Sequence, residues 1–536
     1  MRAVEIYDTT LRDGAQMRGI SFSVNDKLRI LEILDDLGLS YVEGGWPGAN
    51  PKDVDFFIEA AKLKLRNTKL TAFGSTRKAN TKVVEDPILA ALLRANTEVV
   101  CIVGKSSAWQ ITNTMKASLE ETLDMLEESI NYLKAEGRKV FVDAEHFYDG
   151  FIDNPDFSHK FVTTAIKAGA DRMVLCDTNG GSLPEYVFNI SKEFVDKYNS
   201  QIGFGIHAHN DGELAVANSI RAVRAGVMQV QGTINGYGER CGNANIISVI
   251  ANLQLKVRDQ EIICIAPSNL AKLTNVAKKV AEIANMNLNQ SQPFVGARAF
   301  THKGGLHASA IAKDKSSYEH IDPSIVGNKT RVVVSDQSGL SNIIDWLNNN
   351  NFVFDNEDKQ KQAASKILTA IKDQEHQGYS YENAGASLEL LVRKILNQCP
   401  KYFELVENNV HIVNGEQTEA TVRIKIGEVE KHSVSLGNGP ANALDSALRK
   451  ALRDHYPEIE NFSLQDFKVR ILDSHLGSGA ITKVQVTTGT KDKKSWDTIG
   501  VSSNIIKASW DAIVDSIVFG LISESVPCTS LETRII

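Results

Sequence analysis

At 536 residues the chain is too long for one ordinary domain, and about 150 residues per domain predicts two to four. Its 42% hydrophobic and 23% charged content is that of a water-soluble globular protein, and a net charge of −7 leaves no basic face for nucleic acid. No apolar run reaches membrane-helix length and the start MRAVEIYDTT lacks a signal peptide's basic-then-apolar layout, so no membrane partner and a cytoplasmic location are expected.

Along the first 260 residues, short apolar runs alternate with amphipathic ones. Strands are predicted at Val4–Tyr7, Tyr41–Glu43, Lys69–Phe73, Glu98–Val103, Lys139–Ala144, Arg172–Cys176, Gly203–His207 and Gln229–Ile234. Helices lie between them, for example Asn25–Leu37 closed by Gly38 and Ser118–Glu136 closed by Gly137. Eight strand-helix units in about 250 residues predict an α/β fold, a TIM (β/α)8 barrel, with a doubly wound open sheet as the runner-up.

A barrel collects its chemistry at the C-terminal ends of its strands. Those ends carry Asp8, Arg12 and Asp13, then Glu43, Arg77, Lys105, Glu145, Asp177 with Thr178, His207 with His209, and Asn235. Strand positions i and i+2 face the same way, so the imidazoles of His207 and His209 can reach one metal ion. After the eighth strand, Gly232, Gly236, Gly238 and Gly242 allow a folded-back loop that brings Glu239, Arg240 and Asn243 toward a ligand. The loop is not a P-loop, because no Lys-Ser/Thr pair ends it. The six cysteines form no CxxC pair, and Cys101 and Cys176 read as small core residues.

Residues 270–395 read as helical linker subdomains, and residues 396–536 hold an internal repeat. Strands Tyr402–Glu407, Ala420–Ile426 and His432–Leu436 precede a helix at Asn442–Leu452. The same order returns at Gln465–Asp473, Ile481–Thr487, Trp496–Val501 and Ile505–Leu521. Each β-β-β-α half buries little alone, so the halves, and two subunits, are expected to pair.

Three motifs carry a family resemblance: DTTLRDG at 8–14, HAHND at 207–211 and GTINGYGERCGN at 232–243. They resemble the 2-isopropylmalate, homocitrate and citramalate synthase family of metal-dependent DRE-TIM enzymes, over essentially the whole chain. EGGWPGANPKD at 43–53 and RGISFSVNDKLRI at 18–30 look most like the citramalate synthase branch. The resemblance implies an acyltransferase that condenses acetyl-CoA with a 2-oxo acid, pyruvate for that branch, in a metal-dependent Claisen-type reaction. The thioester is then hydrolysed and CoA released.

The resemblance also implies site roles. Asp13, His207, His209 and Asn243 match the ligands of a divalent metal, and mixed N/O ligation suits Mg²⁺, Mn²⁺, Co²⁺ or Zn²⁺. Asp211 is expected to orient a histidine. Arg12 would stabilise the keto oxygen as it becomes an alkoxide, and Thr178 matches the threonine that holds the oxo-acid carboxylate. Glu145 or His307 would take the acetyl proton, with Tyr318 on the same closing segment as His307. His302 and His320 read as structural.

The repeated tail resembles the family's regulatory domain, which binds the end-product amino acid: isoleucine for citramalate synthesis, leucine for isopropylmalate synthesis. Loops Gly437–Pro440 and Leu476–Gly479 offer backbone amides for its carboxylate. A homodimer feeding isoleucine biosynthesis is the expected whole. The alternatives are a 2-isopropylmalate synthase acting on 2-oxoisovalerate, a carbon–carbon lyase or aldolase on the same barrel, which usually lacks this tail, and a non-catalytic amino-acid-binding protein.

Overall fold

The computed structural model describes residues 2–304, 307, 310–311, 314–335, 337–413, 417–473, 477, 479–492 and 494–528. Eight parallel strands close into a barrel: β1 (Glu5–Asp8), β2 (Tyr41–Gly45), β3 (Lys69–Ser75), β4 (Val99–Lys105), β5 (Lys139–Glu145), β6 (Arg172–Asp177), β7 (Gly203–Ala208) and β8 (Gln229–Gly232). Every predicted strand is found, most shifted or lengthened by a residue or two. β8 pairs back onto β1, with Glu5 opposite Gln229 and Asp8 opposite Gly232.

The helices between strands form because their ends are capped and one face is apolar. In α1 (Val24–Leu37), Ser23 and Asp26 cap each other, and Gly38 ends the helix at φ 87°. Its Ile30, Leu31, Leu34 and Leu37 are fully buried on the barrel. At about 25 cal/mol per Å², each such side chain contributes roughly 1.5–3 kcal/mol. Asp35 on the same helix accepts backbone N–H bonds from Arg66, Asn67 and Thr68, which fixes the approach to β3.

The barrel interior changes character along its axis. Tyr7, Phe73, Val99, Cys101 and Phe141 form an apolar plug. Period-2 alternation then carries each strand up into polar residues: on β5, Phe141 is followed on the same face by Asp143 and Glu145. Strand register pairs Lys105 with Glu145 and His207 with Gln231. The polar groups therefore meet at the C-terminal mouth.

The described residues within 2–300 and 319–330 make one compact unit, and the described residues within 301–318 and 331–536 make another. In the second, helices Leu340–Asn349, Glu357–His376 and Gly385–Ile395 pack around Ile343, Leu347, Ile367 and Val392. Two antiparallel three-stranded meanders follow: β9 (Glu404–Val413), β10 (Gln417–Ile426) and β11 (Val429–Gly437), then β12 (Phe462–Ile471), β13 (Thr482–Thr490) and β14 (Ser495–Ser502). Helices Pro440–Leu452 and Ile505–Ser523 complete the two copies of the repeat, sharing a core with Val422, Ile424, Leu448, Val484 and Ile513. Gly305, Leu306 and Ala308, beside His307, and Leu476 and Ser478 of the second tail loop lie outside the described residues. No helix among the described residues is long and apolar enough to cross a membrane.

Candidate active site

The turn after β1 and the end of β7 bring Asp13, His207 and His209 into one buried cluster, with donor atoms within 4.8 Å of one another. The Nε2 atoms of the two histidines lie 3.3 Å apart. His207 Nε2 is also 3.3 Å from Asp13 Oδ2. Two bare imidazole nitrogens facing each other at such a distance repel unless a proton or a cation lies between them.

Asn243 joins the cluster because the glycine loop folds back. Asn210 N–H donates to the Gly242 carbonyl at 2.8 Å, Ala244 N–H donates to the Ala208 carbonyl at 2.9 Å, and His209 bridges Asn243. The Asn243 amide nitrogen donates to Asp13 Oδ2 at 2.9 Å. Gly238 has φ +155°, and a Cβ there would sit 2.1 Å from Asn243 Oδ1. Gly238→Ala is therefore expected to push the amide out and weaken divalent-ion affinity at least about 10-fold, the scale of disturbing a ligand's support. Calorimetric titration of metal-free protein with Mn²⁺ checks this, and unchanged affinity would contradict it.

These residues fit a divalent ion. His207 Nε2, His209 Nε2 and Asp13 Oδ2 converge on one point. Among the described residues the buried Asn243 Oδ1 has no hydrogen-bond partner, so turning the amide over would aim that oxygen at the cluster its nitrogen now faces. Burial and then the neighbouring His207 push His209 down to about 4, which leaves a neutral imidazole. Burial would raise Asp13, but Arg12, His207 and His209 outweigh it and hold the carboxyl well below the usual range. For His207, burial works downward and Asp13 overcomes it, so the ring sits above its ordinary value.

Arg12 is fixed from three sides. Its Nε donates to Glu43 Oε1 at 2.6 Å, its Nη1 lies 3.7 Å from Asp13, and its guanidinium lies 3.9 Å from the centre of the Phe73 ring. Burial would lower its pKa, but Glu43 and Asp13 raise it above the ordinary arginine value. Glu43 is fully buried and takes a second bond from the Tyr7 hydroxyl at 2.7 Å. The sequence alone puts Glu43 at a strand end and gives it no role. Its signal is that position on β2, beside the β1 turn that carries Arg12.

Just after β6, beside the strand that carries His207, Thr178 Oγ1 accepts the backbone N–H of His146 at 2.8 Å, leaving its own O–H to donate. The preceding residue, Glu145, forms an ion pair with Lys105 on the adjacent strand. Asp211 corrects an expectation: it accepts from Arg240 Nε and Nη2, both at 2.8 Å, and orients that arginine rather than a histidine. Arg240 also donates to the Thr178 carbonyl, which ties the glycine loop to β6. Glu239 is exposed.

In the second unit, the His307 and Tyr318 rings stack with centroids 4.2 Å apart. In the first, His320 stacks on Phe300 at 5.7 Å, a packing role.

Comparison with known proteins agrees with this architecture. Residues 3–280 match the HMGL-like family model, 294–376 the homocitrate synthase post-HMGL domain-like model, and 382–520 the LeuA allosteric (dimerisation) domain. The (R)-citramalate synthase of Aquifex aeolicus is 49% identical over 526 residues, covering 97% of this chain and 98% of that protein. Those of Geobacter sulfurreducens and Synechocystis are each 45% identical, covering 97% and 96% of this chain and 98% and 96% of their own lengths. The chain belongs to the HMGL-like family, in its citramalate synthase branch. The barrel thus carries the HMGL-like match, and the repeated tail carries the allosteric-domain match.

Proposed function

We propose that the chain is an (R)-citramalate synthase, joining the acetyl group of acetyl-CoA to pyruvate and then hydrolysing the thioester. The observation that carries this reading is an arginine, its side chain 13% exposed, set beside a three-donor cluster at one barrel mouth, in a chain that aligns end to end with enzymes of that name. Asp13, His207, His209 and Asn243 would hold a divalent ion. Bound there, the ion supplies Lewis acidity toward the keto oxygen and carboxylate of pyruvate.

The chain's own residues divide the remaining work. The Thr178 hydroxyl donates to the pyruvate carboxylate. A base, Glu145 or His307, takes a proton from the acetyl methyl, and the resulting enolate carbon attacks the keto carbon. As that bond forms, the keto oxygen takes the carbonyl electron pair, and Arg12 stabilises the alkoxide. The alkoxide is then protonated, and water cleaves the thioester to give free CoA and citramalate. Tyr318, stacked on His307, holds that ring.

CoA-thiol release with pyruvate, 2-oxobutyrate, 2-oxoisovalerate and 2-oxoglutarate tests the substrate. Preference for pyruvate is expected. Preference for 2-oxoisovalerate would make the chain an isopropylmalate synthase, and no release with any acid would leave a carbon–carbon lyase. Pocket differences of a few methylenes contribute only about 1–3 kcal/mol, so the preference is measured as a ratio of kcat/KM.

The tail is read as the site of feedback control and of pairing between two copies. Leu405, Ile412, Leu436, Leu464 and Ile471 expose apolar surface on its strands, which suits a second copy. Gly439 precedes the first turn of helix Pro440–Leu452, where free backbone amides can take an amino-acid carboxylate. Isoleucine is expected to inhibit the full-length enzyme and leucine to leave it active; the reverse order in a paired titration would overturn the assignment.

A further inference from the structure

Below the ligand cluster runs a buried chain of hydrogen bonds that the reaction itself does not use. His207 Nδ1 lies 2.9 Å from Gln231 Oε1. The Gln231 amide nitrogen donates to Asp143 Oδ1 at 2.9 Å. The Cys101 thiol donates to the same oxygen at 3.2 Å. Cys101 and Gln231 are fully buried, and Asp143 is 4% exposed.

The direction of this chain is set by its far end. A carboxylate only accepts, so the Gln231 NH₂ must face Asp143, and the amide then presents its oxygen to His207. An acceptor opposite Nδ1 puts the ring proton on Nδ1 and leaves Nε2 bare. Nε2 is the atom that faces Asp13, His209 and Asn243. His209 has no such support, because among the described residues its Nδ1 has no hydrogen-bond partner. The two histidines therefore enter the site differently, one preset and one not.

We propose that Gln231 and Asp143 are positioning residues that lock His207 in the Nδ1–H tautomer and so pre-form the divalent-ion site. The inference rests on the ion-site reading above and adds residues that touch neither ion nor substrate. Strand register puts Gln231 directly beside His207, and strand alternation puts Asp143 on the inward face with Phe141 and Glu145.

The test uses metal-free full-length protein and Mn²⁺ alone as the probe. Gln231→Leu removes the acceptor and is expected to weaken Mn²⁺ binding by about 10- to 100-fold, the range for loss of a ligand's outer partner. The double swap Gln231→Glu with Asp143→Asn keeps the net charge and reverses the amide and the acid. The carboxylate introduced on β8 would still accept from His207, and the amide introduced on β5 would donate to that carboxylate, so wild-type affinity should return. Nitrogen-15 shifts of labelled histidine in the wild type should show the His207 proton on Nδ1.

Equal Mn²⁺ affinity in wild type and Gln231→Leu would overturn the proposal, as would a swap no better than Gln231→Leu. If Gln231→Leu does not fold, the histidine spectrum decides, and a proton on Nε2 in the wild type overturns it. Failure of the wild type to bind Mn²⁺ at all is distinguishable from these outcomes, and would remove the ion-site reading itself.

Discussion

Arg12→Lys is expected to lower turnover by about 10²- to 10³-fold, the loss typical of removing one donor from an oxyanion site. Arginine serves here because its fork does two jobs at once. One edge is committed to the buried Glu43, through Nε at 2.6 Å, while Nη1 reaches the Asp13 side of the site at 3.7 Å. A lysine ammonium is a single point charge, and the buried Glu43 would capture it. The flat contact on Phe73 would go with the guanidinium. The loss should fall mainly on kcat, because the charge that Arg12 meets develops only as the carbon–carbon bond forms. Steady-state CoA release at saturating pyruvate measures this, and turnover near wild type would remove Arg12 from the chemistry.

The second large effect is expected from Asp13→Asn. Asp13 is the only acidic group in the three-residue cluster, and its Oδ2 also accepts from the Asn243 amide. Without that charge, Arg12 and both histidines face a cation with no counter-charge in the cluster. Ion affinity should collapse, and turnover should fall by about 10²- to 10⁴-fold, which corresponds to losing several kcal/mol of Lewis-acid stabilisation. Excess Mn²⁺ should restore little. Full rescue by added ion would mean that Asp13 is not a ligand. Because Asn has nearly the shape of Asp, a thermal melt of the variant should separate this outcome from misfolding.

The barrel was legible because most of the strands are apolar along their length and polar at one end, and that pattern survives without knowledge of neighbours. The histidine pair was legible for the same reason, since alternation along a strand is local. The tail repeat could be read because each half repeats one order of strands and helix. Less legible was whatever depends on which strand lies beside which. Glu43 finds Arg12 across 31 residues, and Gln231 finds Asp143 across 88. Lys105 meets Glu145 through strand register. Asp211 was expected at a histidine and instead holds Arg240, because the glycine loop turns back over β7. Such loops close through backbone bonds at positive φ, at Gly236, Gly238, Arg240 and Gly242, and sequence spacing alone does not say where they land.

The most direct measurement is the product formed from acetyl-CoA and pyruvate, separated and identified by chromatography, with ion-free and ion-loaded protein side by side. Citramalate and an equal amount of free CoA are expected from the ion-loaded protein, and neither from the ion-free protein. Citramalate formed equally well without the ion, or CoA released together with free acetate, would contradict it.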